Sequence, residues 1–277
     1  MTVVDTPPPR LPVRHRAVAA ERAWGGVSPM LTRLAAEQAT GVLVRERGTL
    51  YLDEGRVVHA ESPLSPGLDA LLTANGTLGA DAWRDALSRA DDQRGAAHLL
   101  LAGGHLTKGA LQLCHLSAVY DAGYFALAPS STPGRFRYGI AHRIGPVLPV
   151  PVSALERETV RRRGLLHRIW PDTRADSSPL VRTYATAAPR LTARQHALLE
   201  LVDGTRTAPQ LARALGRQAF HTLVDVRRLV AAGLIAPRQV PEREATAPAP
   251  ALADRLAHTT DPHITLLKRL RDALEAL

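Results

Sequence analysis

The sequence is poor in cysteine, lysine and aromatic residues. Cys114 is the single cysteine among 277 residues, so a disulfide framework within the chain is excluded and a reducing compartment is indicated. Aromatic side chains make up 4% of the chain. Ala, Leu and Val must therefore fill the core, which favours helices over a β-sandwich. Lys108 and Lys268 are the only lysines, so arginine supplies nearly all of the positive charge.

Long apolar runs and catalytic motifs are also missing. No stretch approaches the ~18 apolar residues of a membrane span, and the proline-rich residues 1–16 lack the apolar centre of a signal peptide. We therefore expect a cytoplasmic protein without a membrane partner. The sequence has no phosphate loop, dinucleotide fingerprint or Cys-x-x-Cys pair. His98, His105 and His115 lack the i, i+4 spacing of a helical zinc site. The sequence thus predicts no enzymatic activity, no metal site and no cofactor.

The formal net charge of +9 has two explanations. A basic balance is typical of proteins that bind polyanions such as nucleic acids. Arginine-rich codon usage in a GC-rich genome produces the same excess of positive charge in a protein that does not bind polyanions. Composition alone leaves both open.

Changes in periodicity and proline content divide the chain into six segments. The predicted segments are a disordered tail (1–16), a first domain (17–170), a linker (171–189), a second domain (190–238), a flexible linker (239–260) and an amphipathic C-terminal helix (261–277).

The first domain combines a small antiparallel sheet with helix pairs. Alternating apolar residues predict strands over 42–46, 49–53 and 56–60, after a helix that begins near Ser28. Two similar helix pairs follow, each interrupted by a glycine suited to a left-handed cap. A strand near Phe136 closes the domain, and a capping box at 153–156 opens a helix that ends near Ile169.

The second domain has the outline of a winged helix-turn-helix. Capping boxes begin at Thr192 and Thr207. A third helix is predicted over 219–232, and a short strand over 234–236 ends at Pro237. Three helices and a strand within about fifty residues match that fold in outline.

The hairpin segment carries a family resemblance. It reads Thr40-Gly-Val-Leu-Val-Arg45, then Gly48-Thr-Leu-Tyr-Leu-Asp-Glu-Gly55-Arg-Val-Val-His-Ala60. This pattern resembles the PatA-like N-terminal domain of bacterial signalling proteins, and the resemblance covers roughly 28–168. It implies a regulatory role and no catalytic residues. Residues 226–235 resemble the winged-helix tails that accompany some of these domains.

The third helix of the second domain is the candidate DNA-binding element. At 100° per residue its apolar face is opposed by Arg217, His221 and Arg228, and Arg227 lies at the flank. Arg238 follows the strand, where a wing would begin. Arginine at such positions contacts phosphates or guanine edges. Asp225 on the same face argues against DNA, although residues 190–238 carry a net charge of +5.

Two other surfaces are candidates for protein interaction. The arginine run at 161–163 contacts phosphate, an acidic partner or only solvent. The last helix carries one apolar stripe, which packs either on a second copy of the chain in a homodimer or on its own chain. The members of these surfaces are Arg161, Arg162, Arg163, Leu267, Leu270, Leu274 and Leu277.

The sequence therefore predicts an α+β, mostly helical protein. Its small antiparallel hairpin module with helix pairs is followed by a winged helix-turn-helix-like domain. We expect a transcriptional regulator that binds double-stranded DNA and whose first domain receives a protein partner or a signal. The alternative is a signalling adaptor that uses both domains to bind proteins.

Overall fold

The computed structural model describes residues 28–74, 76–91, 94–183 and 190–238. The predicted tail 1–16, linker 239–260 and C-terminal helix 261–277 lie outside the described residues. So do the interaction candidates Leu267, Leu270, Leu274 and Leu277. Within the described ranges, no helix combines the length and the apolar character needed to cross a bilayer.

Ten helices and seven strands occupy the described residues. The helices are α1 (Pro29–Ala36), α2 (Leu68–Thr73), α3 (Ala80–Arg89), α4 (Ala96–Ala102), α5 (Lys108–Ala126), α6 (Val152–Ile169), α7 (Arg174–Ser177), α8 (Ala193–Glu200), α9 (Ala208–Ala214) and α10 (Ala219–Ala231). The strands are β1 (Gly41–Arg45), β2 (Gly48–Asp53), β3 (Arg56–Glu61), β4 (Arg135–Tyr138), β5 (Val150–Pro151), β6 (Leu180–Arg182) and β7 (Ile235–Pro237).

The first five strands form one antiparallel sheet in the order β4-β1-β2-β3-β5. Alternating apolar residues build it, and Gly55 takes the positive φ of 74° that the β2–β3 turn requires. One face of the sheet packs on α1, α5 and α6 through a buried core. The largest fully buried side chains of that core are Leu31, Leu43, Leu50, Leu52 and Leu155.

The helix pairs α2–α3 and α4–α5 have a core of their own. Leu72, Leu100 and Leu111 are fully buried in it, and Trp83 packs beside them. Gly76 and Gly104 adopt the left-handed conformation that ends each first helix, as the sequence predicts. The repeat of helix pairs therefore forms one small layer of the molecule.

The C-terminal helices share a core with the first domain. Phe125 of α5 and Leu166 of α6 are buried in the same apolar cluster as Leu180, Leu211 and Leu223. The described residues up to Pro237 accordingly form one compact unit. Arg238 is the one described residue of the second unit, 238–277.

The structure modifies two sequence-based expectations. The predicted linker 171–189 contains α7 and β6 in its described part, and β6 pairs with β7. Prolines suggested a linker, but Ala175 and Leu180 are completely buried and fix this segment to the core. The described chain is α+β and about half helical, rather than mostly helical.

A buried carboxylate joins α5, α6 and α10. Asp121 is fully buried, and its Oδ1 accepts a hydrogen bond from Arg162 Nη1 at 2.9 Å. The same carboxylate accepts from the backbone N–H groups of Ala219 at 2.5 Å and Phe220 at 3.3 Å. It thus caps the first turn of α10, whose own N-cap Gln218 makes no side-chain cap bond.

Close helix packing supports this junction. Gly123 of α5 lies against Leu155 of α6, and a Cβ at position 123 would stand 2.6 Å from Leu155 Cδ1. Only glycine permits that approach without displacing Leu155. Arg162 lies on the same side of α6, with its guanidinium 4.4 Å from the Phe220 ring centroid.

Replacing Asp121 by alanine is predicted to destabilise the protein by about 3 kcal/mol. The change leaves two buried N–H groups without an acceptor and removes a partner of the buried Arg162 guanidinium. Urea unfolding followed by circular dichroism measures the effect. Asp172→Ala is the matched control, because it breaks an exposed Arg174–Asp172 pair and should cost less than about 1 kcal/mol. Equal losses in both variants would refute a structural role for the junction.

Candidate functional site

The predicted recognition helix, α10, is almost entirely buried. Ten of its thirteen residues have little solvent exposure, including Val224 and Asp225 on the face assigned to DNA. The helix packs on α6, α7, α8 and α9 and forms the centre of the C-terminal core. Helical periodicity predicts one core face, but neighbours also cover Val224 and Asp225 on the opposite face and leave His221, Arg228 and Ala231 exposed.

Arg227 is not available for DNA contact, which corrects the sequence-based prediction. Its side chain is 3% exposed and forms a bidentate ion pair with Asp176 of α7, at 2.8 and 2.5 Å. The guanidinium also donates to the carbonyl oxygens of Leu166 and Trp170 at the end of α6. Arg227 therefore holds three elements together.

The remaining DNA candidates are exposed or half-buried. His221 and Arg228 are exposed on α10 two turns apart, and therefore on the same side of the helix, and Arg238 is exposed after β7. Arg217 is half-buried, and its Nη1 donates to the Arg194 carbonyl oxygen at 3.4 Å. Asp225 is buried and pairs with Arg194 of α8 at 2.7 Å.

The arginine run on α6 also separates into different environments. Arg161 is exposed and pairs with Glu158 at 2.7 Å. Arg162 is buried in the Asp121 junction, and Arg163 is half-buried with its Nη2 donating to the Leu127 carbonyl oxygen at 2.6 Å. Residues 161–163 therefore do not form one interaction surface, because α6 turns two of them into the protein.

A cluster of histidines beside the sheet was not anticipated from the sequence. In the β2–β3 pairing, Tyr51 is opposite His59 and Leu52 is opposite Val57, so Val58 is the extra residue of a β-bulge. His115 of α5 donates through Nε2 to the Val58 carbonyl oxygen at 2.8 Å. A buried histidine thus satisfies the carbonyl that the bulge removes from the ladder.

His59 lies between two other imidazoles. Its ring centroid is 5.9 Å from that of His115 and 4.1 Å from that of His142, with both ring pairs stacked. His142 comes from the segment between β4 and β5. Its Nε2 lies 3.0 Å from Glu61 Oε1, while His59 Nε2 lies 3.7 Å from the same oxygen. Two imidazoles therefore converge on one carboxylate oxygen.

The convergent side chains line a cleft. His59, Glu61 and His142 border a cavity of about 480 Å³ that Trp83 and Asp69 also line. The Tyr51 ring packs edge-on against His142, at 4.6 Å between centroids, and its hydroxyl donates to Glu61 Oε2 at 3.5 Å. The cluster is therefore accessible from outside on one side.

The protonation states in the cluster follow from burial and charge. Burial lowers the pKa of His59 despite the nearby Glu61. Burial also lowers the pKa of His115 to about 4, assisted by repulsion from His59. The hydrogen bond from His142, together with the adjacent His59 imidazole, holds the pKa of Glu61 well below its usual range. At neutral pH the site therefore contains an ionised carboxylate beside neutral His59 and His115.

The sequence contains only part of the signal for this cluster. His59 and Glu61 lie two positions apart in a strand and so project to the same side. His59 is buried in β3. The third member, His142, lies 81 residues beyond Glu61. No local spacing rule brings it there. His98 and His105 are exposed and lie apart from the cluster.

Comparison with family models, with curated proteins and with solved structures finds no match for this chain. Its function is therefore argued from the geometry.

Acidification from neutral pH is predicted to destabilise the protein through His115. A histidine whose pKa falls from 6.5 to about 4 on folding binds protons more readily when unfolded, so stability declines as the pH drops through that interval. The loss attributable to His115 is roughly 2–3 kcal/mol by pH 4.5. His115→Gln removes the titration, so its unfolding free energy should depend less steeply on pH.

Urea unfolding at pH 7 and pH 4.5 measures this difference. His98→Gln is the control, because His98 is an exposed histidine on the neighbouring α4. Identical pH dependence in wild type and His115→Gln would contradict the assignment.

Proposed function

We propose that this chain is a regulatory protein that acts by binding other proteins and does not read DNA through α10. The burial of α10 is the observation that carries this proposal. The charge and the order of the helices are compatible with two functions, a DNA-binding regulator and a protein-binding adaptor. The buried helix favours the adaptor.

The order of elements supports a regulatory assignment. A helix, a three-strand meander and helix pairs follow the order that the PatA-like resemblance implies for residues 28–168. The order β6-α8-α9-α10-β7 is compatible with the proposed winged helix, in which α10 occupies the position of the recognition helix. The resemblance associates both domains with signalling proteins and carries over no catalytic residues.

A recognition helix needs an exposed face that enters the major groove. In α10, Val224 is 7% and Asp225 5% exposed. Asp225 and Arg227 are both engaged in ion pairs within the protein. Freeing this face would require separating α10 from α8 and breaking those pairs. We therefore assign α10 a structural role.

The groove between α1 and α6 is the surface best suited to a protein partner. It encloses about 880 Å³, and its lining includes Ala35, Pro151 and Val152. Val160 at its margin is 39% exposed, and Arg157 also lines it. An apolar centre with charged residues around it is the usual anatomy of a protein-binding site.

Weak DNA binding that does not depend on α10 is the first expected result. Fluorescence anisotropy with a random duplex at low and physiological salt should show at most modest affinity, which salt abolishes because only exposed arginines contribute. An Arg217→Ala/Arg228→Ala variant should change that affinity less than about threefold, since one or two phosphate contacts contribute little. Strong binding that the double variant loses would restore the DNA-reader interpretation.

Crosslinking tests the proposed partner groove directly. A photoreactive phenylalanine analogue at Val160 should form a discrete covalent adduct with another protein in cells that produce this chain. The same analogue at Ser88, an exposed position on α3, is the control and should not. Adducts of equal yield at both positions, or at neither, would argue against the groove.

A further inference from the structure

We infer that His59, Glu61 and His142 form a binding site for one divalent transition-metal ion, with Zn²⁺ as the best-matched ion. Two imidazoles and one carboxylate are the donor set of many zinc and non-haem iron sites that keep coordination positions open. This inference concerns the cleft beside β3 and does not depend on the proposed function.

The three donor groups lie close together, and two of the distances between their atoms are near the spacing that a metal requires. The atoms that the three side chains can offer are all within 4.8 Å of one another, and they form the one such group among the described residues. Bonds of 2.0–2.1 Å in tetrahedral geometry place neighbouring ligand atoms about 3.3 Å apart. The distances from Glu61 Oε1 to the Nε2 atoms of His142 and His59, 3.0 and 3.7 Å, bracket that value.

His59 has unmet bonding capacity in a buried setting. The residue is 3% exposed, and its Nδ1 has no hydrogen-bond partner within the described part of the chain. Its Nε2 lies 3.7 Å from Glu61 Oε1, beyond ordinary hydrogen-bond distance. A buried imidazole without hydrogen bonds is costly. Coordination of a cation would give the ring a strong partner.

Metal binding must move one proton at His142. Nδ1 of His142 accepts from the Ile144 N–H at 3.2 Å, so Nε2 carries the proton that is shared with Glu61. Coordination through Nε2 requires the neutral ring to move that proton to Nδ1, with loss of the hydrogen bond from Ile144 N–H. The metal–nitrogen bond must offset this loss.

The remaining coordination positions would face the cleft. The cavity of about 480 Å³ has room for water or a small ligand, and Asp69 on its wall is a further oxygen donor. An ion at this position would also fasten the segment 139–149 to β3. That segment contacts the helix pairs, because Ala96 N and Ala97 N donate to the Arg143 and Ile144 carbonyl oxygens. Metal occupancy would thus couple the sheet to the helix-pair layer.

Titration with Co²⁺ and Zn²⁺ tests the site in the full-length protein, purified without a histidine tag. We expect one Co²⁺ per chain with a visible d–d spectrum and displacement by Zn²⁺. The thiolate charge-transfer band should be absent, because Cys114 lies outside the cluster. Calorimetry should show Zn²⁺ affinity reduced at least tenfold by Glu61→Gln and by His142→Ala. Zn²⁺ should raise the Tm of the wild type more than that of either variant.

His98→Ala and His105→Ala serve as matched controls, because they remove exposed histidines outside the cluster and should leave the affinity unchanged. Glu61→Gln is nearly isosteric at a half-exposed side chain, so its loss of binding cannot be attributed to unfolding if circular dichroism is unchanged. The absence of stoichiometric Zn²⁺ binding would overturn the inference. Binding that survives both cluster variants, or a thiolate band in the Co²⁺ spectrum, would place the ion elsewhere and overturn it equally.

Discussion

The Asp121 carboxylate is the constraint on which the arrangement of the C-terminal helices depends. Its two oxygens receive the Arg162 guanidinium from α6 and the first N–H groups of α10. Burial raises the pKa of Asp121, and the Arg162 charge opposes that shift. A carboxylate in this position also interacts favourably with the positive end of the helix dipole. Because Arg162 further pairs with Glu158 and stacks over Phe220, α10 is held at the centre of the protein.

This geometry bears on the proposed function. α10 is fixed at its N-terminus by Asp121 and two turns later by Arg227. The ion pairs of Asp225 and Arg227 stabilise the helix and remove these two charges from its surface, whereas Arg228 stays exposed. Of the arginines expected to contact DNA, Arg227 is buried in an ion pair with Asp176 and Arg217 is half-buried. The proposed partner-binding role would then depend on other surfaces, such as the groove at Val160.

Local patterns predicted the elements well, and long-range contacts explain the rest. Both capping boxes are present, with Gln195 and Gln210 accepting from the N-cap backbone at 2.9 and 2.8 Å, since capping is decided within four residues. The capping box expected at Ser153 does not form. Its Glu156 side chain instead accepts a hydrogen bond from the Ser28 N–H, 128 residues away in the chain. Periodicity likewise placed β1 to β3 within a residue or two, but it could not show that β6 pairs with β7 or that Phe125 and Leu166 join the C-terminal core.

The charge count and the histidine spacing share one physical limit, because both leave out contacts that form only when the chain folds. A count of charges over residues 190–238 gives +5, yet Arg194, Arg206 and Arg227 each have a carboxylate partner. One of those partners, Asp176, lies outside the counted range. Histidine spacing likewise does not include the contact between Glu61 and His142. These residues meet only because β4 and the segment beyond it fold back along the sheet. In both cases the chemistry depends on tertiary contacts that a window of sequence does not contain. The charge pattern overstated the exposed basic surface, and the histidine pattern missed a candidate ligand set.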